Sequence, residues 1–338
     1  MNITKVVKSL SNEIGISGEE CKVAELALSY MKKYTDDTYI KNGNVIGNIG
    51  ERAEGKTHIV LDAHIDQIGF IVTFITDDGF IKVGNCGGID RRLVLAQQVT
   101  IHGQKDICGI IISTPPHLDN GDEKKVPEIS DIYIDTGMSK TELEKIVEQG
   151  DRISFVAPCE DLLGGRLTGK ALDDRTGVAA ILYALDSLKK DELNCSVTAV
   201  FSTQEEIGER GAKIAAYDIN ADIAIAVDVG FGFTDGDEEG KCGKLGNGGM
   251  IGVSPSLDRE LSNELAHIAK KEKIPYQFEV MEGLTSTNAD QYSVSRGGAR
   301  AVTLSIPLKY MHTPVEVVDV SDIKNVGKLL AEFIRRCK

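Results

Sequence analysis

The chain has 338 residues, enough for two domains, with 41% hydrophobic and 27% charged residues, as in ordinary globular proteins. Its net charge of −14 argues against nucleic acids and anionic membrane surfaces as partners. The N-terminal residues lack an apolar signal core, no stretch is apolar enough to span a bilayer, and the seven cysteines form no Cys-x-x-Cys pair. We therefore expect a cytoplasmic protein with reduced thiols.

The N-terminal part predicts helices, a hairpin and a buried strand. Residues 2–34 have helical pattern in two segments, and Ser17 or Gly18 can cap the second. Asn42-Gly43 lies between short apolar runs and predicts a hairpin turn. The apolar run Thr57–His64 predicts a buried strand.

The middle of the chain contains short β-type runs and little helical pattern. The predicted strands are residues 68–75, 80–83, 98–102, 108–113 and 152–156, with a helical pattern only around 139–148. Turns are predicted between them, among others at residues 115–116 and 120–121. Many short strands at regular spacing indicate a small barrel or sandwich.

Helices and strands alternate from residue 164 onwards. The predicted helices are 174–188, 209–216, 257–272, 289–296 and 321–336, and the predicted strands are 196–202, 222–228, 250–253, 276–280 and 300–305. This alternation predicts an α/β sandwich with a mostly parallel sheet. We assign residues 1–66 and 163–338 to this domain and 67–162 to an inserted β-barrel-like domain.

Ligand-type residues lie at five strand or loop ends. They are His64 with Asp66, Asp173 with Asp174, Glu205 with Glu206, Asp228, and His312. Sites in open α/β sheets form at the carboxyl ends of strands, so these distant residues can converge. Each also has a plainer interpretation: a hydrogen-bonded histidine, a helix N-cap, a solvated glutamate pair, a turn or a loop residue.

Together these side chains suit divalent metal ions. Imidazoles mixed with carboxylates bind Zn²⁺, and also Co²⁺ or Mn²⁺. One bridging Asp with one Glu, one further Asp and two His would serve two ions about 3.5–4 Å apart. One acid then remains as a general base, and Asp66 can take the other ring nitrogen of His64.

Five motifs in this order resemble the tetrahedral aminopeptidases, the co-catalytic metallopeptidase family that includes glutamyl aminopeptidases and proteins once called cellulase M. The motifs are His64–Phe70, Gly169–Arg175, Thr203–Gly208, Val227-Asp228 and Tyr310–Glu316. The match runs along nearly the whole chain.

The resemblance implies two divalent metal ions per subunit. Asp173 would bridge them. His64 and Asp228 would complete one site, and Glu206 and His312 would complete the other.

The resemblance also implies a mechanism and an assembly. Glu205 would be the general base and Asp66 would support His64. The inserted β domain would mediate dimerisation, with dimers assembling into a tetrahedral dodecamer. The substrates would be short peptides, which lose their N-terminal residues.

Three positions depart from the family pattern. Gln67 stands where Glu is usual, and Lys309 replaces a common Arg. In Ser286–Asp290 the residue at 288 is Asn where the family usually has Asp, and the acid lies at 290. The last departure bears on substrate preference, because this segment lies near the family's substrate pocket.

Other functions stay open. A metal-dependent carboxypeptidase or deacylase could use the same kind of site, and N-acetylated peptides would separate it from an aminopeptidase. Glycoside hydrolysis, as by an endoglucanase, needs two carboxylates and no metal, so it would survive chelation. A metal-stabilised scaffold would bind metal without hydrolysing any amide.

Overall fold

The computed structural model describes residues 1–113, 126–188, 193–238 and 240–337. The turns predicted at residues 115–116 and 120–121 lie outside these ranges. The α-helices of the described residues are α1 (Ile3–Asn12), α2 (Cys21–Met31), α3 (Lys140–Leu143), α4 (Leu172–Leu188), α5 (Arg210–Ile219), α6 (Arg259–Glu272), α7 (Ala289–Val294) and α8 (Val320–Arg336).

The strands belong to one large sheet and one closed barrel. Those of the sheet are β1 (Thr38–Lys41), β2 (Asn44–Ile49), β3 (His58–His64), β10 (Glu160–Leu162), β11 (Arg166–Gly169), β12 (Ser196–Ser202), β13 (Ile223–Phe231), β14 (Gly249–Val253), β15 (Tyr276–Val280), β16 (Arg300–Lys309) and β17 (Glu316–Asp319). Those of the barrel are β4 (Gly69–Ile75), β5 (Ile81–Cys86), β6 (Gln98–His102), β7 (Asp106–Ser113), β8 (Ile132–Asp135) and β9 (Arg152–Phe155).

The centre of the large sheet is parallel and its borders are antiparallel. The strand order is β1-β2-β12-β3-β13-β16-β17-β11-β10, and β14 joins β16 to β15. Strands β12, β3, β13 and β16 run parallel. They are buried along almost their whole length, as expected of strands covered by helices on both faces. The predicted α/β sandwich with a mostly parallel, mixed sheet is confirmed.

Helices cover both faces of this sheet. One face packs against α1, α2, α4, α6 and α8 in the largest apolar core, and the other packs against α5 and α7 in a smaller one. Polar caps fix the ends of the outer helices: Asn2 accepts from the Lys5 N–H at the start of α1, and Asp319 accepts from the Ser321 N–H at the start of α8. The hairpin at Asn42-Gly43 forms as predicted, with both residues at positive φ.

The inserted strands close into a barrel in the order β4-β5-β8-β7-β6-β9. The barrel has its own apolar core, with Phe70 and Phe155 in edge-to-face contact at 5.4 Å between ring centroids. This confirms the β-barrel-like insertion. Its strands run from Gly69 to Phe155. Strand β10 lies within the range 67–162 that was assigned to the insertion, but it belongs to the large sheet.

Several local predictions were wrong. Neither Ser17 nor Gly18 caps α2, which starts after Glu20, because the Ser17 hydroxyl donates elsewhere. Strand β13 does not end at Asp228 but runs to Phe231, and β17 follows His312, so β16 is not the final strand. Helix α3 is only one turn long, and β8, β10, β11 and β17 are too short to show a pattern.

None of the helices among the described residues is both long and apolar enough to cross a membrane. All seven cysteines lie in the described part of the chain and are free thiols.

Candidate active site

The parallel register of the central strands brings the predicted ligands to one edge of the sheet. His64 is the last residue of β3 and pairs with Ser202, the last residue of β12. Glu205 and Glu206 follow directly in the next loop. In β13, Ala226 pairs with Asp62, so Asp228 lies level with His64. Parallel pairing therefore assembles the site, as expected at the carboxyl ends of parallel strands.

One group of possible ligand atoms consists of His64, Asp173 and Asp228. The Nε2 atom of His64 lies 3.0 Å from Oδ1 of Asp173 and 3.9 Å from Oδ1 of Asp228. All three side chains are buried, and their ligand atoms lie within 4.8 Å of one another. One imidazole and two carboxylates are therefore close enough together to bind the same metal ion.

A second group consists of Asp173, Glu206 and His312. The Nε2 atom of His312 lies 3.5 Å from Oδ2 of Asp173 and 3.5 Å from Oε2 of Glu206. Asp173 belongs to both groups and directs a different oxygen towards each histidine. Its carboxylate is therefore shared between two adjacent sets of donors.

Asp66 fixes the loop that carries the two glutamates. Its Oδ1 accepts from the Glu205 N–H (2.9 Å), and its Oδ2 accepts from the Glu206 N–H (3.2 Å) and the Ser17 hydroxyl (2.7 Å). The Oδ1 atom also lies 3.4 Å from Nδ1 of His64, longer than an ordinary hydrogen bond. Asp66 thus positions Glu205 and Glu206 more firmly than it positions His64.

Asp174 and Glu316 have supporting contacts. Asp174 Oδ1 accepts from the Gly177 N–H (2.9 Å) and caps the regular part of α4, as the plainer interpretation predicted. Glu316 is buried, and its sequence motif predicted no role for it. Its Oε2 accepts from the Leu172 and Asp173 N–H groups, and its Oε1 accepts from the His312 N–H. One carboxylate therefore ties the Asp173 segment to the His312 segment, and no local signal marks it.

The electrostatics of the site suit bound cations. Burial and then neighbouring carboxylates such as Asp228 raise the pKa of Glu205 to about 9. Burial and then Asp173 raise the pKa of Asp228 to about 7 and that of Glu206 well above its usual value. Burial also acts on Asp173, but hydrogen bonds from both histidines outweigh it and lower its pKa. Positive charge beside these crowded acids would restore their ionised forms, so the donor set fits divalent metal ions.

The predicted residues line one cavity of about 560 Å³. His64, Asp173, Glu205, Glu206, Asp228 and His312 all contribute to its wall. The barrel contributes Gly88, where an added Cβ would lie 3.1 Å from Nδ1 of His312. Both domains therefore enclose the same space. Asp66 lies behind this wall.

The departures at positions 67 and 288 are buried and do not line the cavity. Gln67 is buried, and its Oε1 accepts from Nζ of Lys170 (3.1 Å). Asn288 is also buried, and its Nδ2 donates to Oδ1 of Asp62 (2.7 Å). Thr285, Ser286 and Thr287 line the cavity instead. The amide at 288 therefore anchors the segment rather than facing a substrate.

The family model for M42 glutamyl aminopeptidases matches residues 43–329, which include every ligand-type residue described above. The chain belongs to the M42 peptidase family. Membership of that family supports aminopeptidase function, and hence hydrolase activity, for this M42 peptidase. The predicted resemblance is confirmed.

Relatives of this M42 peptidase match it from end to end. The lysyl aminopeptidase of Pyrococcus furiosus is 31% identical, over 99% of this chain and 97% of the relative. The structure of an aminopeptidase from Desulfurococcus kamchatkensis superposes with a TM-score of 0.92 at 35% identity, covering 98% and 94% of the two chains. The TET1 peptidase of Pyrococcus horikoshii, described as assembling into a tetrahedron or a large octahedral shell, gives 0.87 at 32% identity, covering 99% and 100%.

Proposed function

We propose that the protein is a dinuclear metallo-aminopeptidase that removes N-terminal residues from short peptides. The main support for this proposal is the position of Asp173. Its two carboxylate oxygens each face a different histidine-containing donor group. Asp173 would bridge two ions, held on one side by His64 and Asp228 and on the other by Glu206 and His312. The donor set suits Zn²⁺, Co²⁺ or Mn²⁺.

The remaining acid suits general base catalysis. Two divalent ions, when bound, would lower the pKa of a water and polarise the scissile carbonyl. Glu205 lines the cavity but belongs to neither donor group. It would take the proton of the attacking water and give it to the leaving amine. Asp66 would hold Glu205 and Glu206 in place through their backbone N–H groups.

The assembly is proposed from the same family. The TET1 peptidase of Pyrococcus horikoshii forms a tetrahedral or octahedral shell, and its chain is covered completely by this one. We therefore propose a homo-oligomer, built from dimers that pair through the inserted barrel into a tetrahedral dodecamer. Sedimentation of the purified protein tests this, because a monomer at all concentrations contradicts it.

The activity is tested with aminoacyl-p-nitroanilides, free and N-acetylated, before and after chelation and with Zn²⁺, Co²⁺ or Mn²⁺ restored. We expect cleavage of the free-amine substrates only, lost on chelation and regained with metal. Cleavage of the acetylated substrates would instead identify a deacylase-type enzyme. Bound metal without cleavage of any of them would contradict the proposed function.

A further inference from the structure

The cavity wall contains a carboxylate that the proposed mechanism does not use. Glu279 lies in β15 and its side chain lines the same cavity as the metal-ligating residues. It reaches back across the sheet, where the Ser305 hydroxyl donates to its Oε2 at 2.6 Å. Ser305 pairs with Asp228 across β16 and β13. The Glu279 carboxylate is therefore next to the metal-binding region but outside both donor groups.

The backbone leaves space for this carboxylate. A Cβ on Gly230 would lie only 2.5 Å from Oε1 of Glu279, so the carboxylate rests directly against the main chain of β13. Among the described residues, Ser305 is the sole hydrogen-bond or ion-pair partner of the Glu279 carboxylate, and it occupies Oε2. The Oε1 atom is left without a polar partner although Glu279 is mostly buried. This oxygen is not fully enclosed, so it can accept hydrogen bonds from a ligand that enters the cavity.

Several side chains of the cavity wall are apolar. Val229, Phe231, Val280, Met281 and Met311 line the cavity together with Glu279. Apolar walls with one carboxylate match a side chain that has an apolar stem and a cationic end. Lysine and arginine have that construction, whereas a leucine side chain would leave the carboxylate unpaired.

We propose that Glu279 makes the enzyme select substrates whose N-terminal residue is lysine or arginine. This selectivity rests on the proposed aminopeptidase function. The free α-amine of a substrate must stay close to the scissile carbonyl, and therefore close to Glu205 and the metal ligands. Glu279 lies beyond Asp228 and Gly230, where the side chain of the N-terminal residue would extend.

Two other charged residues line the cavity and are weaker candidates for selectivity. The Lys241 side chain is 70% exposed and already forms an ion pair with Glu238 at 2.7 Å. An exposed, paired charge of this kind is screened by solvent. Glu209 Oε2 accepts from Nε2 of Gln291 at 2.9 Å. Glu279 thus has the less solvated charge and the unpaired oxygen.

The test compares kcat/KM for p-nitroanilides of lysine, arginine, norleucine, leucine and glutamate, with the wild-type protein in its metal-loaded form. Norleucine is the matched control substrate, because it has the straight stem of lysine without the ammonium group. We expect lysine to exceed norleucine by about 10- to 100-fold, the usual range for a hydrogen-bonded charge.

The matched variants are Glu279→Gln and Glu209→Gln. Glu279→Gln is expected to lower kcat/KM for lysine and arginine by about 10- to 100-fold and to leave norleucine within about threefold. The norleucine rate also shows that the variant is folded and metal-loaded. Glu209→Gln is expected to keep the lysine-to-norleucine ratio of the wild type.

Three results would overturn the selectivity: a wild type that prefers glutamate, a wild type that treats lysine and norleucine alike, or an equal loss for all substrates in Glu279→Gln. Each leaves aminopeptidase function intact, because some substrate is still cleaved. A wild-type protein that binds metal and cleaves none of the substrates refutes the proposed function and this selectivity with it.

Discussion

The Nδ2 atom of Asn288 donates to Oδ1 of Asp62 across 2.7 Å, and both side chains are buried. Asp62 also accepts from the Ser202 and Tyr292 hydroxyls, so one carboxylate joins β3, β12 and the segment that leads into α7. The bond spans 226 residues of sequence. It fixes Thr285–Thr287, which line the cavity, relative to the strand that ends in His64.

Replacing Asn288 by Asp is expected to destabilise the protein, because a second buried carboxylate would face Asp62. An uncompensated buried charge costs about 3–5 kcal/mol of unfolding free energy. Denaturant melts of the variant measure the loss. The swap Asp62→Asn with Asn288→Asp restores one amide and one carboxylate and should recover much of the stability. A single variant as stable as the wild type would contradict the contact.

Replacing Glu205 by Gln is expected to lower kcat by roughly 10²- to 10⁴-fold while metal content stays near that of the wild type, because in the proposed mechanism Glu205 acts on protons and binds no ion. Glu206→Gln is the matched change on the next residue, and it should weaken the binding of one ion. Metal analysis alongside turnover separates the two. If Glu205→Gln strips the metal instead, the roles of the two glutamates are reversed.

Replacing Asp173 by Ala is expected to remove both ions, because its two oxygens serve both donor groups. His312→Ala should reduce binding to one ion, since it deletes a ligand from the second group only. Metal analysis after dialysis against dilute Zn²⁺ gives the counts. An Asp173→Ala protein that still holds two ions would exclude the bridging role.

The stability of the fold is expected to fall as the medium is acidified, in part through His58 at the start of β3. Burial and then Arg52 lower the pKa of His58 to about 4, against 6.5 for the free side chain, while Asp222 opposes the shift. The unfolded chain therefore takes up a proton as pH falls through 6.5, whereas the folded protein does so only near 4. A folded pKa below the unfolded one makes the folded state lose stability across that window.

The matched variant is His58→Gln, which cannot titrate. Between pH 7 and about pH 4.5 it should lose about 2 kcal/mol less unfolding free energy than the wild type. Above pH 7 the difference between the two proteins should stay constant. Parallel pH profiles throughout would show that His58 titrates alike in both states.

The arrangement of the candidate site was predictable where a pattern rule applied. His64 and Glu206 could be expected near each other, because parallel strands end at the same edge of a sheet. Asp228 lies level with them through its register, even though its strand does not end there. The rule that parallel strands end at one edge of a sheet was sufficient here because it depends on whole strands and not on individual contacts.

The supporting contacts could not be predicted in the same way. Glu316 starts a four-residue strand, and Asn288 precedes a short helix, so neither lies in a segment with informative periodicity. Their partners are distant in sequence: Glu316 bonds to Asp173, and Asn288 bonds to Asp62. Such contacts depend on how whole helices and strands pack against each other, and no local sequence pattern predicts that packing.

The glycine corner of the barrel limits how this protein can be recombined. Gly87 and Gly88 approach Glu206 and His312 so closely that a methyl group at either position would press on a side chain of the candidate site. The first barrel strand also begins at Gly69, only a few residues after His64 and Gln67. A barrel transplanted from a relative would therefore have to bring a glycine pair with the same backbone path. The two domains are separate in topology, but an exchange preserves the candidate site only if this corner is kept.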